Sequence, residues 1–313
     1  MRLSDRIGRR IKLQDVHVLM AVVQAGSMGK AARQLNTSQP NISKSIADLE
    51  QALGVRLLDR HRRGIEPTQY GRALLDGGAA VFDELRQTVK NIEFLADPAA
   101  GEVRVGSNPL LAASFTSAIV DRLSRRYPRI MFRLTTGYVE GLHRGLSERE
   151  LDLLIAWKIG PLADERLSFE FLFDDTWVIA TGAQNPWARR RKVAVPDLMN
   201  EPWVLPPPES GVTAMAMEAL AASGFGYPRM TVIADSPHVR MSLLATGRFL
   251  TICPMSALRF PTQRLELKVL PVEVPMARVP NGIVTMKNRT LSPVTRLFIE
   301  TARESAKRLT KSG

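Results

Sequence analysis

The stretch from Ser38 to Gly54, SQPNISKSIADLEQALG, narrows the folding options more than any other part of this 313-residue chain. Ile42, Ile46, Leu49 and Leu53 recur at spacings of four, three and four, which puts them on one stripe of an α-helix. Ser38 suits the cap of that helix, and Pro40 is tolerated in its first turn, where a missing N–H has no intrahelical partner. Gly54 stops it. Pro40, Lys44 and Ala47 fall on the opposite side, flanked by Asn41 and Ser43. One face therefore demands a packing partner, and the other offers short polar groups and a single cation.

The preceding residues supply that partner. Val16, Leu19, Met20 and Val23 follow the i, i+3, i+4, i+7 pattern of an amphipathic helix that ends at Ala25-Gly26. Ser27 caps a second, short helix from Met28 to Leu35, whose Ala31 and Ala32 permit close packing. After Gly54, Val55 to Arg60 and Ile65 to Thr68 read as a hairpin whose turn, His61-Arg62-Arg63-Gly64, is densely cationic and suited to lie against a phosphate backbone. The first 75 residues carry thirteen Lys/Arg against six Asp/Glu, more than half of the chain's net +12. A basic segment that also folds is the electrostatic footprint of polyanion binding, and a helix with small polar residues near its N-terminus can enter the major groove. The bland alternative is three packed helices with a solvated basic turn.

Together these residues resemble a known family. Gly26-Ser27-Met28-Gly29-Lys30-Ala31-Ala32, Thr37 to Ile46, Leu53 to Arg60 and Pro67-Thr68-Gln69-Tyr70-Gly71 are similar to the signature of LysR-type transcription regulators. The resemblance implies an N-terminal winged helix-turn-helix over residues 1–70. It also implies that Ser38, Gln39, Pro40, Ser43 and Lys44 meet the DNA, with Asn41 beside them and Arg62 and Arg63 on the wing. Met28 stands where the family usually has Phe, and Lys44 where Arg is commoner, and Lys lacks the planar fork with which Arg grips a guanine edge.

Residues 71–97 then read as a helix of about seven turns. Leu75, Gly78, Phe82, Leu85, Val89, Ile92 and Ala96 form an approximate heptad seam, with charged residues outside it. The seam either packs on its own chain or dimerises, as the linker helix does in the family resembled, and a dimer of reading heads suits a two-fold operator. Asp97-Pro98-Ala99-Ala100-Gly101 breaks the helix as a hinge.

From residue 98 to 313 strands alternate with helices. Val103 to Gly106, Ile130 to Thr136 and Leu151 to Ala156 read as strands, with helices at Leu111 to Arg126 and Gly141 to Ser147. A second set of strands follows at Thr176 to Ala180, Trp203 to Leu205, Thr231 to Ile233 and Phe249 to Ile252, and the tail from Pro293 to Leu309 has helical spacing. This order predicts α/β architecture with parallel sheets. The resemblance extends here, more weakly, and implies two subdomains like those of periplasmic binding proteins, residues 102–173 with 275–313, and residues 174–274. Ligands of such sheets sit at strand carboxyl ends beside helix N-termini. Ser107, Asn108, Gly137, Ser210, Thr213 and Ser236 occupy such junctions, and Trp157 with Lys158 can add an aromatic wall and a charge. Each hydroxyl alone reads as readily as a helix cap. A small organic anion, first a carboxylate, is the expected effector, with a neutral sugar-like or aromatic metabolite as the alternative.

Other classes have less behind them. The four histidines are scattered without metal-ligand spacing, and no nucleophile elbow, P-loop or strand–GxGxxG–helix fingerprint occurs, so neither an enzyme nor a cofactor is expected. Cys253 beside Pro254 reads as a packed thiol. With one cysteine and neither a secretion signal nor a membrane-length apolar run, a cytoplasmic protein is expected. An architectural DNA-binding protein without an effector stays open. The family resemblance implies dimers or tetramers and contact with RNA polymerase.

Overall fold

A computed structural model describes residues 7–61, 64–158, 160–162, 164–208, 211–259, 266–273 and 278–311. Contacts divide the chain into two units, one through Thr88 and one from Val89 onward.

The first unit holds α1 (Leu13–Ala25), α2 (Met28–Gln34), α3 (Gln39–Leu53), a hairpin of β1 (Leu58–His61) and β2 (Gly64–Pro67), and the start of α4 (Gln69–Ala96). Ser27 caps α2 by accepting the Lys30 amide, and Ser38 caps α3 by accepting that of Asn41 at 3.4 Å. The stripe on α3 buries Ile42, Ile46 and Leu49 against Leu19, Val22, Ala31 and Ala32, with Leu53 packed at the edge. Val18, Ala21 and Val22 of α1 are buried as well, because that helix is covered on two sides, by α2 and α3 and by the hairpin. Glu50 ties α3 to the hairpin by accepting the amides of Leu57 and Leu58 at 2.7 and 3.3 Å. Gly71 starts α4 against Leu57, where a Cβ would stand 2.1 Å from the carbonyl oxygen.

The second unit begins in the last turns of α4 and continues through β3 (Ala100–Ser107), α5 (Pro109–Leu111), a π-turn at Ala112–Thr116, α6 (Ser117–Arg126), β4 (Arg129–Thr136), α7 (Val139–Ser147), β5 (Leu153–Trp157) and β6 (Leu167–Asp175). Then come β7 (Trp177–Gly182), α8 (Val195–Leu198), β8 (Trp203–Leu205), α9 (Gly211–Ala222), β9 (Met230–Ile233), α10 (Pro237–Ala245), β10 (Leu250–Pro254), α11 (Met255–Arg259) and β11 (Leu267–Val269), before β12 (Val279–Met286) and α12 (Pro293–Lys311). They build two five-stranded sheets, β4-β3-β5-β12-β6 and β11-β7-β10-β8-β9, the cores of a first and a second lobe.

Two expectations need correction. The sheets are mixed rather than parallel: β3 pairs parallel with β4 and β5, but β12 runs antiparallel between β5 and β6, and β10 runs antiparallel to β7. Strands returning from the other lobe enter from the opposite end, so direction follows the crossover. The helix expected over residues 111–126 widens into the π-turn, where the Ser114 and Ser117 hydroxyls donate to the carbonyls of Leu110 and Ala112.

Asp152, buried before β5, gathers charge from three directions. It accepts from the Arg104 amide at 2.9 Å and guanidinium at 2.8 Å, from Arg289 at 3.1 Å and from Lys90 of α4 at 3.5 Å. These donors hold its carboxyl below the usual range although burial opposes them.

Candidate nucleic-acid interface and ligand cleft

The face of α3 opposite its buried stripe is bare. Ser38, Gln39, Pro40, Asn41 and Lys44 are exposed and Ser43 is half-buried. Asn41 also donates to Thr37 at 3.3 Å, which steadies the approach to the helix. Among the described residues Lys44 has no ion-pair partner. Arg56 and Arg60 add exposed positive charge along the hairpin. Arg62 and Arg63, expected at its tip, lie outside the described residues.

The seam expected along α4 splits. Leu74 and Leu75 pack on the helical head, Gly78 closes on Val16, whose Cγ1 lies 2.6 Å from where a Cβ would stand, and Phe82 meets His17 at 5.6 Å between ring centroids. Leu85, Val89 and Ile92 are exposed, together with Val81 and Leu95. Its first half therefore packs on its own chain, and its second half stands open.

The residues expected at strand ends fall into two groups. Ser107 and Asn108 end β3, Gly137 follows β4 and Trp157 ends β5, so neighbouring strands bring all four to one edge of the first sheet. Thr213 and Ser236 follow β8 and β9, which are neighbours in the second sheet. Ser210 lies outside the described residues. Most of these hydroxyls and amides are engaged locally. Ser107 is buried against the Thr116 hydroxyl at 3.1 Å, Asn108 accepts the Leu110 amide, Thr213 meets the Pro206 carbonyl at 3.4 Å, and Ser236 accepts the Val239 amide. Lys158 turns away from Trp157, as strand alternation requires, and sits 5.3 Å over the Phe169 ring.

The sequence did not mark Trp177, Asp175 and Arg240 as site residues. Trp157 of the first lobe meets Trp177 of the second edge-to-face at 5.4 Å, within a core continuous through both lobes. Asp175 lies buried at the crossover and accepts from Ser256 and Asn281. Burial pushes its carboxyl up. Arg240 of α10 is 5% exposed and donates through Nη1 to the Ala234 and Asp235 carbonyls at 2.6 and 3.0 Å. Burial lowers its affinity for its proton. A cation in a nine-residue helix gives no periodic signal, so nothing in the sequence marked it. Cys253 is buried, and that burial pushes its thiol up to about 12.

A three-helix head with a hairpin, joined by a long helix to a two-lobed α/β unit, defines a DNA-reading module coupled to a ligand-binding fold. Residues 13–72 match the family model for the bacterial regulatory helix-turn-helix protein of the lysR family, and residues 96–307 match the LysR substrate binding domain. The chain belongs to the LysR family and is a transcription regulator of that type. The HTH-type transcriptional regulator TdcA of Escherichia coli K12 is 25% identical over 293 residues, 94% of this chain and 93% of its own. A full-length OxyR variant from Pseudomonas aeruginosa shares the fold at a TM-score of 0.64 and 20% identity, over 95% of each chain. Full-length CbnR in complex with its target DNA does so at 0.54 and 20%, over 95% of this chain and 100% of that one. Among the described residues no helix is long and apolar enough to cross a membrane.

Proposed function

We propose that α3 lies in the major groove of operator DNA and reads it through Ser38, Gln39, Pro40, Asn41, Ser43 and Lys44, with Arg62 and Arg63 of the hairpin against phosphate. The observation that carries this is the division of α3 into a buried apolar stripe and a bare polar face beginning at its capped N-terminus. In the proposed division residues 1–70 read DNA and 71–97 link. Residues 98–313 sense an effector, as lobes 102–173 with 275–313 and 174–274. Of the seam expected to dimerise, Leu85, Val89 and Ile92 are proposed to join two copies along α4, which their exposure supports, whereas Leu75 and Phe82 pack on their own chain. Contact with RNA polymerase and a cytoplasmic location complete the reading.

The effector is placed between the lobes, beside Ser107, Asn108, Gly137, Trp157, Ser210, Thr213 and Ser236. It changes DNA geometry only if its affinity differs between two arrangements of the assembly. One observation favours a second reading, a regulator without effector: Trp157 and Trp177 fill part of the seam with side chains.

A titration of the protein against DNA flanking its own gene, with random DNA as control and at two salt concentrations, tests the proposal. Preference of about a thousandfold that survives moderate salt supports an operator-specific regulator. Equal, salt-fragile binding to both DNAs speaks against operator reading by this face.

A further inference from the structure

We propose that Arg240 anchors a small carboxylate held between the two lobes, which fixes the charge class of the effector; this rests on the chain being an effector-responsive regulator. Arg240 follows the N-cap Ser236 by four residues on α10. Among the described residues only Nη1 of its three guanidinium nitrogens is used, and both acceptors are neutral backbone carbonyls. Among the described residues no carboxylate stands within 4.0 Å of it. The contrast with Arg289 is direct: that guanidinium, buried to a similar degree, has Asp152 at 3.1 Å. A buried charge without a counter-charge is unfavourable, and proteins retain one where a ligand of opposite sign completes the pair. Nε and Nη2 together present the fork that a carboxylate fills with two parallel hydrogen bonds.

The surroundings place this cation at the cleft. The groups whose charge it senses are the Tyr138 hydroxyl, the Cys253 thiol and, after these, Asp235. Tyr138 opens α7 in the first lobe and is half exposed, while Arg240 is buried on α10 of the second lobe. The N-terminus of α10 adds its positive end on the same side.

A second, independent observation points to a polar occupant of the same seam. The indole N–H groups of Trp157 and Trp177 and the side-chain oxygen of Asn281 are buried without a hydrogen-bond partner among the described residues. They adjoin one another, since Asn281 pairs with Trp157 across β12 and β5 and the two indoles are in contact. Strand β10 links the two places, because its Pro254 pairs with Trp177 and α10 packs on the same strand. Two donors and one acceptor left unmet in a closed seam match a ligand that carries a hydroxyl besides its carboxylate, or water that such a ligand displaces.

The test uses the full-length protein in a thermal-shift assay with sodium acetate, sodium benzoate and the uncharged benzamide, against sodium chloride at equal ionic strength. Wild type, Arg240→Gln, Arg240→Lys and Trp177→Phe are compared, and a cooperative melting transition without probe, together with an unchanged far-ultraviolet circular dichroism spectrum, certifies that each variant folds. The expected result is a rise in melting temperature with a carboxylate but not with benzamide. The half-saturating concentration should rise about tenfold or more in Arg240→Gln and less in Arg240→Lys. Trp177→Phe should weaken benzoate without restoring a benzamide response. A benzamide shift equal to that of benzoate and unmoved in Arg240→Gln overturns the anionic class while leaving a sensing cleft in place. No shift from any of the three probes, with operator binding intact, overturns the anchor and speaks for the regulator without effector.

Discussion

Asp175 and Ser256 are locked together where the chain passes between the lobes: the carboxylate accepts the Ser256 hydroxyl at 2.5 Å and its amide at 3.1 Å. Asp175 ends β6 of the first lobe and Ser256 begins α11 of the second, which packs on α5 and the π-turn. Asn281 of β12 reaches the same carboxylate at 3.5 Å, so one acidic group is shared by both crossings of the chain.

That carboxyl titrates above its ordinary range because burial outweighs its hydrogen bonds. A group raised in the folded state contributes stability below its unfolded value and loses it as pH rises through its folded value. Melting of wild type and Asp175→Asn should therefore diverge in the variant's favour as pH rises from about 4. Parallel profiles would show that Asp175 titrates as an ordinary surface acid.

Asp152 carries the opposite sign. Its carboxyl is depressed in the folded state, so its contribution is present above the unfolded value and lost as pH falls through the folded one. Asp152→Asn removes the charge facing buried Arg289 and should cost about 3 kcal/mol in urea unfolding, with a flatter acid limb. A loss well under 1 kcal/mol would assign the anchoring of Arg289 to its bond with the Leu151 carbonyl.

On the DNA side, Lys44→Ala should weaken operator binding by about 1–3 kcal/mol if Lys44 touches a base edge, and relax preference at one position. Ser38→Ala should cost about 1 kcal/mol of stability through the lost cap on the Asn41 amide. Competition binding with single-base operator variants separates the two effects. A uniform loss in Lys44→Ala across all variants would move Lys44 from base to phosphate.

The exposed half of the α4 seam predicts an assembly contact. Leu85→Glu with Ile92→Glu should lower the mass seen in sedimentation while leaving the fold intact by circular dichroism. Both side chains are already open in the single chain, at 46% and 61% exposure. An unchanged mass would put the oligomer contact elsewhere.

Cys253 should stay unreactive. With its thiol pushed up to about 12 by burial, almost no thiolate exists at neutral pH. Alkylation by iodoacetamide should be negligible in the native protein and complete once denaturant unfolds it. Rapid native labelling would mean that the end of β10 opens locally.

What the sequence determined by itself is local. Ser27 and Ser38 as caps, the 4-3-4 stripe of α3, the cationic hairpin and the span of α4 all rest on residues within a turn or two of one another, where propensity and spacing act directly. The same is true of Ser107, Asn108 and Ser236 as strand-end groups, although most of their hydrogen bonds proved to be caps and short-range contacts.

What only the tertiary structure decided depends on long-range closure. Strands β6 and β12 escaped the reading, because β12 earns its place only by pairing with β5 and β6, which precede it by more than a hundred residues. Asp175 meets Ser256 across 81 positions and Asn281 across 106. Arg240 gave no signal because what distinguishes it is burial beside backbone carbonyls with no counter-charge among the described residues. Periodicity reports which face of an element is buried; it cannot report which groups from distant elements share the buried space, and at the cleft that sharing decides the chemistry.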